Sequence, residues 1–278
     1  MYLLLALSSG LLWGVQDFGY ARYGRLMSSY SVLLLGASGA ALTFLIAGLV
    51  HHDTGMDTID VGNGLMGGFL ELLSAVLLMK AYTMGKCGVA TGVNASYVLT
   101  PLCFSLIIGE AISSADIAGS LIIVTGLVLF FLVKPSASEP SSRPFLSAVF
   151  AFASAVFFGA ALVALDIGSR DNLYATLFVG QLPIIAVTLF MVAKAKSFGG
   201  LRTRDIGPLL GAGFALALAG IAFYTAADNG DLGIVSVLSS ISPIATGVLA
   251  FLILKERMIR SEILALVIVL SGVALVVV

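Results

Sequence analysis

Apolar runs of roughly one bilayer width alternate with short polar breaks along the whole chain. A helix needs about 20 mostly apolar residues to cross a membrane. Cutting the sequence at charged or Gly/Pro-rich breaks predicts ten such helices, near 3–21, 30–50, 64–84, 89–109, 117–133, 145–165, 173–193, 207–227, 233–253 and 262–278. The runs are long, continuous and without the period-2 alternation of barrel strands, so helix fits and strand does not. The longest polar stretch, Lys134 to Pro144, lies near the midpoint and reads as a linker.

Composition turns this pattern from a large apolar core into a membrane protein. Of 278 residues, 59% are apolar and 10% charged, where a soluble domain carries about 25% charged residues. A mean hydropathy of +1.10 leaves lipid as part of the solvent. The first twenty residues lack a basic leader and an A-x-A-like exit, and Trp13, Gln16 and Asp17 interrupt them, so a retained first helix is expected. Net charge is −1 with no basic block, which argues against nucleic acid as a partner. Cys87 and Cys103 follow no metal or redox spacing and read as small buried apolar residues.

The midpoint linker prompts a search for an internal repeat. Placing Pro101 over Pro243 also superposes Tyr82-Thr83 on Tyr224-Thr225, Gly88 on Gly230 and Val93 on Val235. A four-residue jump then superposes Glu110 on Glu256, Asp116 on Glu262, Gly126 on Gly272 and Leu129 on Leu275. Five helices per half is an odd number, so the second half enters the membrane upside down.

These residues also carry a family resemblance. Trp13-Gly14, Ala81-Tyr82, Pro101, Glu110 and Gly126 in the first half resemble the EamA repeat of the drug/metabolite transporter superfamily. Gly159, Phe223-Tyr224, Pro243, Glu256 and Gly272 repeat the order in the second. The resemblance covers nearly the whole chain. It implies an all-α membrane protein with two inverted five-helix repeats, residues 1–134 and 145–278, joined by the linker 135–144. It implies a central site lined by helices 1, 3 and 4 and helices 6, 8 and 9. Gly36 and Gln181 stand where many members carry an arginine, so an anion-binding role does not carry over.

Loop charges predict the orientation. Thirteen of the fourteen Lys and Arg residues fall after odd-numbered helices, and Arg170 alone falls on the opposite side. By the positive-inside rule both termini then lie outside a cytoplasmic membrane.

Candidate chemistry gathers on three helices. Trp13, Gln16 and Asp17 lie along the first, with Asp17 either in a cavity mouth or paired with Arg22. Asn94, Tyr97 and Pro101 share one face of the fourth, and Ser236, Ser239, Ser240 and Pro243 share one face of the ninth. Two matching polar stripes in hydrocarbon fit either a hydrated cavity or interhelical hydrogen bonds. Pro101 and Pro243 each free a backbone carbonyl and bend their helix. Glu71 lies well inside the third helix, where an acid is costly and functional by default. It is the candidate for proton coupling and for contact with a cationic substrate. Lys80 pairs with Asp17 or reaches for lipid headgroups. Glu110 and Glu256 sit at helix ends, where a loop-pairing role is expected. His51 and His52 beside Asp53 read as a solvated loop, and no metal or cofactor is expected.

No G-x-x-x-x-G-K-[ST], G-x-S-x-G or H-E-x-x-H run occurs, and an enzyme is not expected. The expected function is secondary active transport of a small polar metabolite, an amino acid, amine or similar, by a monomer or homodimer. A membrane enzyme acting on lipid head groups and a passive channel or structural subunit are the competing classes.

Overall fold

The computed structural model describes residues 1–53, 55, 57–100, 114–132, 143–230, 232–256 and 258–276. These residues form helices and no strand. The first half contains α1 (Tyr2–Gly24), α2 (Ser29–His51), α3 (Thr58–Met84), α4 (Cys87–Asn94) with a 3₁₀ turn at Ala95–Val98, and α5 (Ser114–Leu132). The second contains α6 (Pro144–Ser169), α7 (Leu173–Ala195), α8 (Thr203–Asp228), α9 (Leu232–Ser239), α10 (Ser242–Leu249) with a wide turn at Ala250–Leu254, and α11 (Arg260–Val276). Counting α9 and α10 as one interrupted helix, ten described helices stand where ten were predicted. Five of them, α2, α3, α6, α7 and α8, are long and apolar enough to cross a membrane.

Two departures from the predicted helices have local causes. α3 starts at Thr58 rather than near 64 because Asp57 and Asp60 form a capping box. The Asp57 carboxylate accepts from the Ile59 and Asp60 N–H groups at 2.8 Å, satisfying donors that a helix start leaves orphaned. The ninth helix is not bent but broken: α9 ends at Ser239, and Pro243 occupies the first turn of α10. Proline has no N–H to lose there and its fixed φ suits a helix start. Pro101, Cys103, Glu110 and linker residues 135–142 lie outside the described residues.

The halves interlock rather than sit side by side. α3 runs along α6 and α1 along α8, while α2 packs on α7 and α8, α3 on α7, and α5 on α11. The crossings are reciprocal. A methyl on Gly126 would stand 2.8 Å from Val269 N, and one on Gly272 would stand 2.7 Å from Ile123 N. Likewise Gly14 crosses at Ser242 O and Ala245, and Gly159 at Tyr97 O and Thr100. Gly68 lies on the Gly180 backbone and Gly213 on the Gly36 backbone. Small residues allow such approach, and dispersion between backbones replaces the hydrophobic drive that lipid cannot supply.

These contacts revise the register of the superposition. α4 and α9 are both eight residues long and begin 145 positions apart, α2 and α7 begin 144 apart, and α5 and α11 begin 146 apart. α2 and α7 even end alike, in left-handed His52 and Lys196. One displacement therefore serves the chain without a four-residue jump. It places Gly213 opposite Gly68, and Leu216 rather than Gly213 opposite Glu71. Matching the two prolines had shifted the third and fourth helices by three residues.

A paired substitution checks the close approach. Gly213→Ala forces a methyl into the Gly36 backbone, whereas a methyl at Gly211 on the same helix meets nothing within 4 Å. The expected result is a loss of roughly 1–3 kcal/mol for the first and a gain of up to about 1 kcal/mol in helix propensity for the second. Thermal midpoints of the purified variants read both signs. Equal midpoints would rule out the crossing.

The outer faces of the bundle are apolar, with Leu42 56% and Phe190 65% exposed. Its two ends differ in charge. Backbone bonds from Ser28 N to Gly199 O and from Arg143 N to Met84 O bring the basic connections together at one end. Asp60 and Asn172, hydrogen-bonded at 2.7 Å, mark the other, where Arg170 pairs with Asp166 at 3.3 Å. His51 stacks on Tyr174 at this end, 5.0 Å between ring centroids.

Candidate functional site

Helical spacing assembles the site from two polar faces of the first half. On α1, Trp13, Gln16, Asp17 and Tyr20 fall at i, i+3, i+4 and i+7, one side of the helix. On α3, Glu71, Ser74, Leu78 and Tyr82 repeat that logic over three turns. Both faces turn into one cavity, to which α4 and its 3₁₀ turn add Asn94 and Tyr97. The second half supplies Phe158 from α6, Gln181 and Ile184 from α7, Leu216 from α8 and Ser242 from α10.

The two carboxylates have different surroundings. Asp17 is 7% exposed and lines the cavity with Tyr82, whose hydroxyl lies 3.2 Å from Thr91 Oγ1. Thr91 Oγ1 in turn donates to the Cys87 carbonyl at 3.1 Å. Glu71 is part-buried, and its Oε2 accepts from Gln181 Nε2 at 3.4 Å. Among the described lining residues there is no Lys, Arg or His.

The nearby cations are engaged elsewhere. Lys80 is exposed and lies over the Phe150 ring at 5.4 Å, and no ion pair joins it to Asp17 among the described residues. Arg22 lies over Tyr23 at 5.8 Å. Arg25 donates to the Tyr82 carbonyl at 3.2 Å and the Gly85 carbonyl at 2.9 Å, and pairs with Glu256. Glu256 also accepts from Cys87 N at 3.0 Å, which is the loop-pairing role expected of it.

An aromatic cluster closes one wall. Trp13 meets Phe158 edge-on at 5.6 Å and Phe223 at 5.1 Å, and Tyr97 meets Phe158 edge-on at 5.0 Å. The Tyr97 hydroxyl donates to the Ser236 carbonyl at 3.0 Å, joining α4's turn to α9. Behind this wall lies a second, more apolar cavity, lined by Phe44, Leu165, Leu177 and Tyr224. Trp13, Glu71, Phe158, Gln181 and Leu216 line both. They form a layer between a chamber toward the basic end and one toward the other end.

Six of the residues singled out from the sequence meet in the larger cavity: Trp13, Gln16, Asp17, Glu71, Asn94 and Tyr97. Ser236, Ser239 and Ser240 are buried but do not line it. Ser239 Oγ instead donates to the Ala6 carbonyl of α1 at 3.1 Å, the interhelical bond that competed with the cavity reading. Tyr20, Ser74, Gln181, Phe158 and Ser242 are additions. Tyr20 and Ser74 were findable as same-face neighbours of Trp13 and Glu71, and Phe158 as the residue 145 positions after Trp13.

Comparison with known proteins agrees with this architecture. A crystal structure of another protein, 17% identical in sequence, superposes with a TM-score of 0.73 over 99% of this chain and 96% of its own. At that identity the likeness speaks to the fold alone. No curated protein matches the sequence. Residues 145–278 match the model of the EamA-like transporter family. Together with the apolar helices, that match shows a multi-pass membrane protein whose residues 145–278 carry an EamA-like domain.

Proposed function

We propose that the protein is a secondary active transporter that moves a small polar metabolite across the cytoplasmic membrane by alternating access. The observation that carries this reading is the layer of Trp13, Glu71, Phe158, Gln181 and Leu216 between two cavities. It draws on both halves, at mid-depth, where carriers hold substrate. The reciprocal glycine crossings and the constant displacement of about 145 residues support two five-helix repeats of opposite topology, ten spans in all. Two such halves can exchange conformations, so a cavity reached from one end in one state is reached from the other in its mirror state. The basic end faces the cytoplasm by the positive-inside rule, which leaves both termini outside.

Glu71 is the coupling residue in this scheme. It stands in the dividing layer and lines both chambers, so it meets either side in turn. A carboxylate there holds a proton or a substrate cation, and exchange of one for the other couples their fluxes. Trp13, Gln16, Asp17, Asn94 and Tyr97 complete the substrate site.

Counterflow in proteoliposomes tests the transporter reading. Liposomes loaded with unlabelled substrate are expected to accumulate labelled substrate transiently above the outside concentration. A ligand that binds the purified protein but equilibrates without overshoot would identify a channel or a non-transporting subunit instead.

A further inference from the structure

The lining of the cavity is unbalanced in a way that specifies a ligand. Two carboxylates, Asp17 and Glu71, face it, and among the described residues no cationic side chain does. Two amide oxygens, Asn94 Oδ1 and Gln181 Oε1, are buried with no hydrogen-bond partner among the described residues. Asn94 is 8% and Gln181 4% exposed, so bulk water does not satisfy them. Gln181 spends its donor on Glu71, which leaves the acceptor end of the amide for a ligand. Buried acceptors left unpaired are costly, and the group that repays them is a donor. The opposite wall, Phe158, Ile184 and Leu216 with Trp13, is apolar and aromatic.

We propose that the cavity takes a protonated amine with N–H donors, an apolar or aromatic body and no carboxylate. This deepens the transporter reading and rests on it for the identity of the cavity as the transport site. The ammonium group binds at the polar side of the cavity, where its three N–H groups are shared among Asp17, Glu71 and the amide oxygens of Asn94 and Gln181. The body lies against the second-half wall, where rings also attract the cation through their faces. An amino acid fits worse than the matching amine. Its carboxylate would enter a space that already holds two acids and offers no cation to receive it. A quaternary ammonium fits worse for a different reason: it carries the charge but no N–H for Asn94 and Gln181.

The chain's single tryptophan is Trp13, in the layer between the two cavities, so its fluorescence reports occupancy at this layer. Four probes with one body separate the features: phenethylamine, phenylalanine, 3-phenylpropanoate and trimethyl-phenethylammonium, titrated into the purified full chain. Phenethylamine is expected to give a saturable change, with the other three weaker by about tenfold or more, as loss of a charge-assisted bond implies. Asp17→Asn and Glu71→Gln are each expected to weaken phenethylamine by a similar factor. Asn94→Leu is expected to narrow the gap between the primary and quaternary amines. Phenylalanine or phenylpropanoate binding as tightly as the amine overturns the proposal, and so does the absence of any saturable response to phenethylamine. Counterflow keeps the two readings apart. Amine binding without exchange leaves the ligand class standing and removes the transporter, while exchange of phenylalanine but not of the amine does the reverse.

Discussion

Replacing Glu71 with glutamine is expected to abolish substrate accumulation driven by a pH gradient, leaving uptake at the level of protein-free liposomes. Glutamine keeps the volume of the side chain and a partner for Gln181, so the helix packing around α3 and α7 survives. What it loses is the exchangeable proton. The ionisable groups around Glu71 are Tyr20 and Asp17 on α1 and Tyr224 on α8, and among the described residues no basic side chain lines either chamber. A cation therefore competes with a proton for this carboxylate, not with a fixed ion pair. In the wild type, apparent affinity for an amine is expected to tighten as pH rises, by up to about tenfold per unit for one proton displaced. In Glu71→Gln that slope flattens to whatever Asp17 contributes. Glu71→Asp, one methylene shorter, is expected to restore part of the driven accumulation. Accumulation by Glu71→Gln at the wild-type level, with the same pH dependence, would remove Glu71 from coupling.

Legibility in the sequence followed the physics of each feature. Nine of the ten predicted helices were placed within a few residues where they are described, because each is a block of apolar residues bounded by charge. The α3 start was missed by more than a turn because its capping box is polar and local, and hydropathy does not see it. The 3₁₀ turn after Asn94 and the break after Ser239 were invisible for the opposite reason, since nothing in their hydropathy separates them from a continuous α-helix. In the site, the α1 and α3 faces were readable because acids and amides at helical spacing cannot face hydrocarbon and must turn inward to a polar space. Ser239 of α9 needs no such space, since its hydroxyl satisfies the Ala6 carbonyl. The apolar half of the cavity carried no polar mark. Phe158 and Leu216 become visible only through their positions 145 residues after Trp13 and Glu71, and the proline-based register hid the second of these.

Arg25→Ala is expected to open the basic end of the bundle and expose Cys87. One guanidinium there joins three elements: it follows α1, binds two carbonyls at the end of α3, and pairs with Glu256 beyond α10. Glu256 then caps the first N–H of α4 at Cys87. At the basic end this charge-assisted node ties α1, α3 and α4 of the first half to the segment after α10 of the second. Removing Arg25 leaves two carbonyls and a carboxylate without it, a loss of about 1–3 kcal/mol where these groups are not fully rehydrated. Lysine cannot replace the planar fork that reaches three acceptors, so Arg25→Lys is expected to behave more like alanine than like the wild type. Glu256→Gln keeps an oxygen for Cys87 N–H and loses only the ion pair, which makes it the mildest of the three. Cys87 is fully buried in the intact node, and with Cys103 replaced by serine it becomes the reporter. Maleimide labelling of Cys87 is expected to be slow in that background and about tenfold faster or more with Arg25→Ala, as the closed state loses about 1.4 kcal/mol or more. Under alternating access the same variant favours the state open at the basic end, so a ligand admitted from that end also binds sooner. An unchanged labelling rate at Cys87 would mean that the node only decorates a closure made elsewhere.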